Sequence, residues 1–469
     1  MSALKIFIGI ALVLIFISSV VIVKWSESNT FLYQLLAIIS VSLMAGGILI
    51  NLNLHTKLKI LILLIISLLI RVWWILNVNS VPVSDFNTMY LSAKEMLNGN
   101  LSAFRDFGYL SRFPHLICTT LYMALMIIIF PTSHLFAIKI VNVLLSVLTV
   151  FLLYKLAENF VKHEKVRLVI MLLASVFPAF ISYSSTYCTE NIAIPLYLIT
   201  TILFYDAIKT ENLGKWFLVG VLLSLSNMFR GVGIVFLIAF CIYIFVFTKN
   251  NKFKNSFLLI TGMLFTSIFV SLFLISVNIT DKPLWQGAEP SFATLLLKGT
   301  NVENGGRWNL EDAHFVDENL GKPDLVKKCI DIAISRISEL SFTEKIEFFG
   351  EKFLSQWSVG DFSGTYWAFL ETDMKLVQVV PFIFQVVFVV VIFFSAVSLF
   401  TRNTKKETML IYILLVGFGL MFMVIETQSR YSYIISWAFL ILAGQGIENM
   451  ISIIRRVRND KKVFENTKL

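Results

Sequence analysis

Six ionisable residues sit where this chain is otherwise apolar or turns tightly between apolar runs. They are Arg71 in "LLIRVWWIL", Asp85 in "VPVSDFNTMY", Glu190 in "STYCTENIAIPL", Arg230 in "LSNMFRGVGIVF", and Glu426 with Arg430 in "VIETQSRYSYIISW". A carboxylate can take the proton of an attacking hydroxyl, and guanidinium forks hold phosphate oxygens while staying charged at depth. Those two residue types together can move a group from a phosphate to a hydroxyl. On that reading Asp85 is the general base, Arg230 and Arg430 hold the phosphate, and Glu190 assists Asp85 or orients a substrate. Arg71 lies about 18 Å along its helix at 1.5 Å per residue, within the hydrocarbon, where an arginine needs an anionic partner. It is a third candidate for the phosphate.

Each position also has a plainer reading. Asp85 or Ser84 can cap a helix. Glu190 can sit in the favourable first turn of the next helix. Arg230 can snorkel to the interface, and Glu426 with Arg430 can form an i, i+4 ion pair.

The elements that must position these residues are membrane helices. Hydrophobic residues make up 57% of the chain and charged ones 15%, beyond the norm of soluble proteins. Apolar runs long enough to cross about 30 Å of hydrocarbon recur near 3–23, 31–50, 59–78, 135–157, 168–186, 189–208, 215–229, 232–248, 255–277, 376–400, 408–425 and 431–450. The expected fold is an all-α polytopic bundle of about twelve transmembrane helices. The first run lacks a small-residue cleavage site and reads as a helix rather than a leader.

The net charge of +9 does not point to nucleic acid, because the basic residues cluster in short loops at 158–167, 249–255 and 401–407 and in the tail at 455–462. Such loops belong in the cytoplasm, which places both termini there and Asp85, Glu190, Arg230 and Arg430 at the outer face of the cell membrane. The segment 279–375 carries sixteen acidic and ten basic residues and falls outside. The stretch 116–130 is only fifteen residues between Pro114 and Pro131, so it reads as an interfacial helix that does not cross. Were it to cross, Asp85 would lie in the cytoplasm.

This topology divides the chain into two N-terminal helices (1–55), a module with a first external loop at 79–134 (56–278), an external segment (279–375), and C-terminal helices with a basic tail (376–469). In the first loop an amphipathic helix is expected with Phe86, Tyr90, Leu91, Ala93 and Leu97 on one face. Further helices are expected around 323–340 and 344–357.

The external parts add Tyr109, Arg112 and His115 from "GYLSRFPH", and Lys298 and Arg307 from "LLLKGTNVENGGRWN"; with Glu426 these are the substrate-binding candidates. A glycine- and asparagine-rich loop of this kind can close over a substrate. Such a set of charges at a membrane surface suits a lipid-linked sugar phosphate. With a monophosphate leaving group the arginines suffice without a cofactor, and a divalent metal held by Asp85 and Glu190 is the alternative. The four cysteines have neither metal-ligand nor disulfide spacing.

In its order of motifs the chain resembles bacterial glycosyltransferases of the GT-C superfamily, the group of protein O-mannosyltransferases and lipid A aminoarabinose transferases. The resemblance runs from about residue 55 through "PVSDF", "SRFPH", "AIKIVNVLLSVLTVFLLYKLAENF", "TYCTENIAIP", "NMFRGVG" and "ETQSRYSYI". It implies an extracytoplasmic active site, a polyprenyl-phosphate sugar donor, juxtamembrane helices in the first loop, and inverting transfer with Asp85 as base. The acceptor is an envelope glycan, a glycolipid or a protein. Two features depart from the family's simplest layout: the extra spans before residue 55, and a single aspartate where protein mannosyltransferases carry an Asp-Glu pair. A flippase for lipid-linked saccharides would instead line a path across the membrane with charge. A non-catalytic subunit of an envelope assembly would leave Asp85 dispensable.

Overall fold

The computed structural model describes residues 30–400 and 405–466. The expected span 3–23 and most of the basic loop 401–407 lie outside the described residues. Among the described residues eleven helices form the bundle: α1 (Thr30–Asn51), α2 (Thr56–Asn77), then α5 (His134–Ala157), α6 (Glu164–Ser175), α7 (Glu190–Thr210), α8 (Leu213–Phe229), α9 (Gly233–Phe247), α10 (Lys252–Ser276), α15 (Met374–Val397), α16 (Thr408–Val424) and the long α17 (Trp437–Asn466) complete it after two loop helices. Those two are α3 (Ser84–Leu97) and α4 (Ile117–Ile129); α11 (Ser291–Gly299), α12 (Leu310–Asn319), α13 (Leu325–Ser338) and α14 (Phe342–Trp357) build the segment between α10 and α15.

By length and composition seven helices can cross a membrane, or nine if two bent pairs each count as one. This count covers the described residues, which hold eleven of the twelve expected spans. Helices α8, α9 and α16 have only 15–17 residues, about 23–26 Å, short of about 30 Å of hydrocarbon. Their ends are set locally: Asn212 caps the amides of Gly214 and Lys215 at the start of α8, and the Arg230–Val232 turn separates α8 from α9. Helices α8 and α10 meet closely because a Cβ on Gly220 would lie 2.0 Å from the Leu259 carbonyl and one on Gly262 2.2 Å from that of Phe217.

The helices alternate in direction, which sorts their ends. At one end gather the basic loops: Lys162 and His163 amides bond Glu448, Lys165 bonds Asn51, and Tyr205 bonds the Glu407 carbonyl. At the other end lie Asp85, Glu190, Arg230 and Arg430. Helix α4 follows a 110° bend after Ser102–Arg112. Its 13 residues reach about 20 Å. Both its flanks lie at the site end: His115 packs beside Gly231 before it, and after it His134 bonds the Tyr90 hydroxyl while Lys139 bonds the Val78 carbonyl.

The buried face of α3 is Phe86, Met89, Ser92 and Ala93. Leu91 and Leu97, expected on it, are exposed; the 3.6-residue repeat from Phe86 through Met89 to Ala93 carries position 91 round to the other side, whereas Leu97 keeps the phase of Phe86 and Ala93 but is the last residue of the helix. Helices α11 to α13 share a small core of Ala293, Leu297, Val316, Leu325 and Cys329. A bidentate Arg336–Asp312 pair ties α13 to α12, and Arg336 also donates to the Leu297 carbonyl of α11.

Candidate active site

Asp85 occupies the first turn of α3, but its side chain caps nothing: the N-cap is Val83, with no side-chain cap bond. Ser84 holds the left-handed φ of 49°, a strained conformation for a residue with a Cβ. That turn aims the carboxylate inward. Its Oδ1 accepts a 2.6 Å hydrogen bond from the Tyr109 hydroxyl, and its Oδ2 lies 3.8 Å from Arg430 Nη2. Burial, and then the Asp85 charge, hold the Tyr109 phenol protonated.

Glu190 opens α7 and is fully buried, not solvated in a turn. Its Oε1 stands 3.6 Å from Arg230 Nε and 3.6 Å from Arg430 Nε, while Thr189 donates to its Oε2. These separations exceed hydrogen-bonding distance. Among the described residues Glu190 Oε1 and Arg430 Nε and Nη1 are accordingly buried without hydrogen-bond partners. Buried donors on a guanidinium are costly to leave unmade, and an anionic ligand with oxygens is the group that satisfies them.

Aromatic rings fix the two arginines by their faces. The Arg430 guanidinium lies 4.9 Å from the Phe86 centroid, 5.2 Å from Trp367 and 5.8 Å from Tyr431; Arg230 lies 4.9 Å from the Tyr431 centroid. Ring contact uses the π face and leaves the N–H edges free. The expected i, i+4 pair of Glu426 with Arg430 is not formed: Arg430 turns to Asp85 and Glu190, and Glu426 accepts from the Tyr431 hydroxyl at 3.3 Å. Burial raises the Glu426 carboxyl above the ordinary range. His115 is partly buried beside these charges; burial first, then Arg230, pushes its imidazole down to about 4.

Other candidates have different roles. Arg71 is fully buried within the bundle and is held by five neutral oxygens: the Ser67 hydroxyl and carbonyl, the Ser146 hydroxyl, and the Ala174 and Ser175 carbonyls. No anion is needed there. α6 breaks before Pro178, and the carbonyls freed at that negative helix end receive the cation. Arg112 is tied to Glu289 and Asp317 at 2.7 Å each, joining the first loop to the segment after α10. Arg307 is exposed, whereas Lys298 is buried near Glu426.

The loop after α11 is pinned to the turn that carries Glu426 and Arg430. A Cβ on Gly299 would lie 2.4 Å from the Ile425 carbonyl carbon, so only glycine permits that approach. The Thr427 amide donates 2.7 Å to the Gly306 carbonyl, and Lys352 donates to that of Gly299. Gln356 bonds the Gln428 carbonyl and Ser432. Left-handed Phe362 and Ser363, at φ 50° and 65°, precede the short helix Gly364–Phe369 that delivers Trp367.

Residues 115–275 match the family model of dolichyl-phosphate-mannose-protein mannosyltransferases, of the GT-C superfamily. This stretch is similar to membrane glycosyltransferases. The match holds Glu190 and Arg230 and stops short of Asp85 and Arg430, which the fold adds to it. No match was found among curated proteins. Among the described residues no three His, Cys, Asp or Glu side chains gather as a metal needs. Glu190 already faces two cations, so this donor set does not fit a divalent metal.

Sequence reasoning missed Phe86, Trp367 and Tyr431 as partners of the arginines. Tyr431 carries a signal, since it follows Arg430 directly. Trp367 carries none, being far along the chain in a segment without helical period.

Proposed function

We propose that the chain transfers a sugar from a polyprenyl-phosphate donor to an acceptor hydroxyl at the extracytoplasmic face, with inversion. The observation that carries this reading is the buried Arg430, with two donor nitrogens unbonded among the described residues, between the carboxylates of Asp85 and Glu190. The acceptor oxygen attacks the anomeric carbon from the side opposite the phosphate, its proton passes to Asp85, and the carbon–oxygen bond to the phosphate breaks. Arg230 and Arg430 hold the charge that develops on the departing phosphate, and Glu190 keeps the two guanidiniums apart and oriented. Tyr109, bonded to Asp85 Oδ1, leaves Oδ2 for the acceptor.

The outward orientation is supported by the basic loops at the opposite end of the bundle. The test is purified protein in lipid nanodiscs with a panel of polyprenyl-phosphate hexoses and pentoses, following release of the polyprenyl phosphate. Release is expected for one of them. Consumption of nucleotide sugars in place of every lipid donor overturns the proposal.

A further inference from the structure

Beside the arginine pair lies a second group of buried polar side chains that the transfer chemistry does not use. Lys298, 8% exposed, ends α11, yet among the described residues its ammonium makes neither a hydrogen bond nor an ion pair. The usual explanation for a lysine at a helix C-terminus is that it covers the last carbonyls. Here Arg336 takes the Leu297 carbonyl and Lys352 that of Gly299, so the place is filled.

The close approach of Gly299 to Ile425 sets Lys298 against the turn of Glu426 and Thr427. Among the described residues Glu426 accepts only the 3.3 Å bond from Tyr431, and the Thr427 hydroxyl is buried with no partner. Lys298 stands close enough to Glu426 to act on its charge, and Thr427 follows Glu426 in the chain, so this turn gathers unmet hydrogen-bonding capacity. Lys298 and Lys352 both act on the Glu426 charge, with Asp85 and Arg430 also near it.

We infer that Lys298, Thr427 and Glu426 form a second anion subsite, which takes a phosphate or carboxylate carried by the acceptor. The inference rests on the transferase reading above. Tyr431 separates the two subsites, its hydroxyl on Glu426 and its ring against Arg230 and Arg430. An intervening phenol ring assigns the two anions to different molecules rather than to one diphosphate. The acceptor class that follows is an anionic glycan or glycolipid, with its hydroxyl delivered toward Asp85.

The experiment is equilibrium binding to the purified full chain, which does not depend on turnover. The probes are octyl glucoside 6-phosphate and unphosphorylated octyl glucoside, with Lys298→Met and Lys298→Arg as variants. The phosphorylated probe is expected to bind wild type at least about tenfold more tightly, a difference within the range of one charge-assisted contact. Lys298→Met loses that preference, and Lys298→Arg keeps most of it. Equal affinity of wild type for both probes, or an equal loss for both in Lys298→Met, overturns the subsite. Arg230→Ala, which removes a donor contact, is expected to retain the probe preference; absence of donor turnover in wild type with the preference intact would count against the transferase reading alone.

Discussion

Replacing Asp85 with asparagine removes one charge and keeps the shape of the side chain. The amide oxygen still accepts the 2.6 Å bond from Tyr109, so the local geometry is retained. The lost attraction is that of Oδ2 to Arg430 Nη2 at 3.8 Å. For two unit charges at that distance Coulomb's law gives about 1 kcal/mol in water and about 4 kcal/mol at an effective dielectric of about 20. The Asp85 side chain is 45% exposed, which favours the lower figure. Arg430 also keeps Glu190 as its counter-ion. The expected stability loss is therefore about 1 kcal/mol, a shift of a few degrees at most in thermal unfolding. The chemistry responds differently: loss of a general base lowers turnover by about 10²–10⁴, or about 3–5 kcal/mol of barrier. The assay pairs release of polyprenyl phosphate with a melting curve in the same detergent and with donor binding. Near-normal melting and binding with turnover within about threefold of wild type would refute the role of Asp85 as base.

Three further outcomes are expected. Arg230→Ala and Arg430→Ala each weaken donor binding by about 10- to 100-fold, the worth of a charge-assisted contact, read by titration with a non-transferable donor analogue; unaltered affinity in both removes them from the phosphate site. Trp367→Leu raises the donor KM by about 3- to 10-fold while Trp367→Phe stays near wild type, because the cation–π contact is worth about 0.5–2 kcal/mol and phenylalanine retains a ring face; equal effects from both variants mean that Trp367 acts by bulk alone. His115 is neutral in the folded protein down to about 4, whereas the unfolded chain protonates near about 6.5, so the unfolded state binds the additional proton in between. Stability then falls as the pH drops from 7 toward 4, and the slope of melting temperature against pH is shallower in His115→Gln; parallel slopes would show that the imidazole does not contribute.

The convergence of Asp85, Glu190, Arg230 and Arg430 was legible because helix ends alternate between two sides, and parity with the basic loops assigns each turn to one of them. The same logic failed for Arg71. Its depth was evident, but the partner was a broken helix, and the carbonyls freed before Pro178 have no signature in residue type. Arg112 was read as substrate-binding because its future partners, Glu289 and Asp317, lie more than 170 residues away in the chain. The amphipathic face of α3 was half legible: Phe86 and Ala93 hold the inner side, while Leu91 is an outward residue on a helix at an apolar boundary and Leu97 is exposed at the helix end. The shortness of helices such as α9 was not legible, since hydropathy does not report where a glycine or an arginine ends a helix.

The left-handed serine before Asp85 has a thermal consequence. Conformations of this kind cost about 1–3 kcal/mol and are held only by the structure around them; glycine at 84 would follow the same backbone path without the steric penalty. Ser84, Phe362 and Ser363 place three such positions at the rim of the cluster. Warming should loosen that rim before the bundle core, so the temperature at which turnover fails is expected to lie below the temperature at which the helices melt.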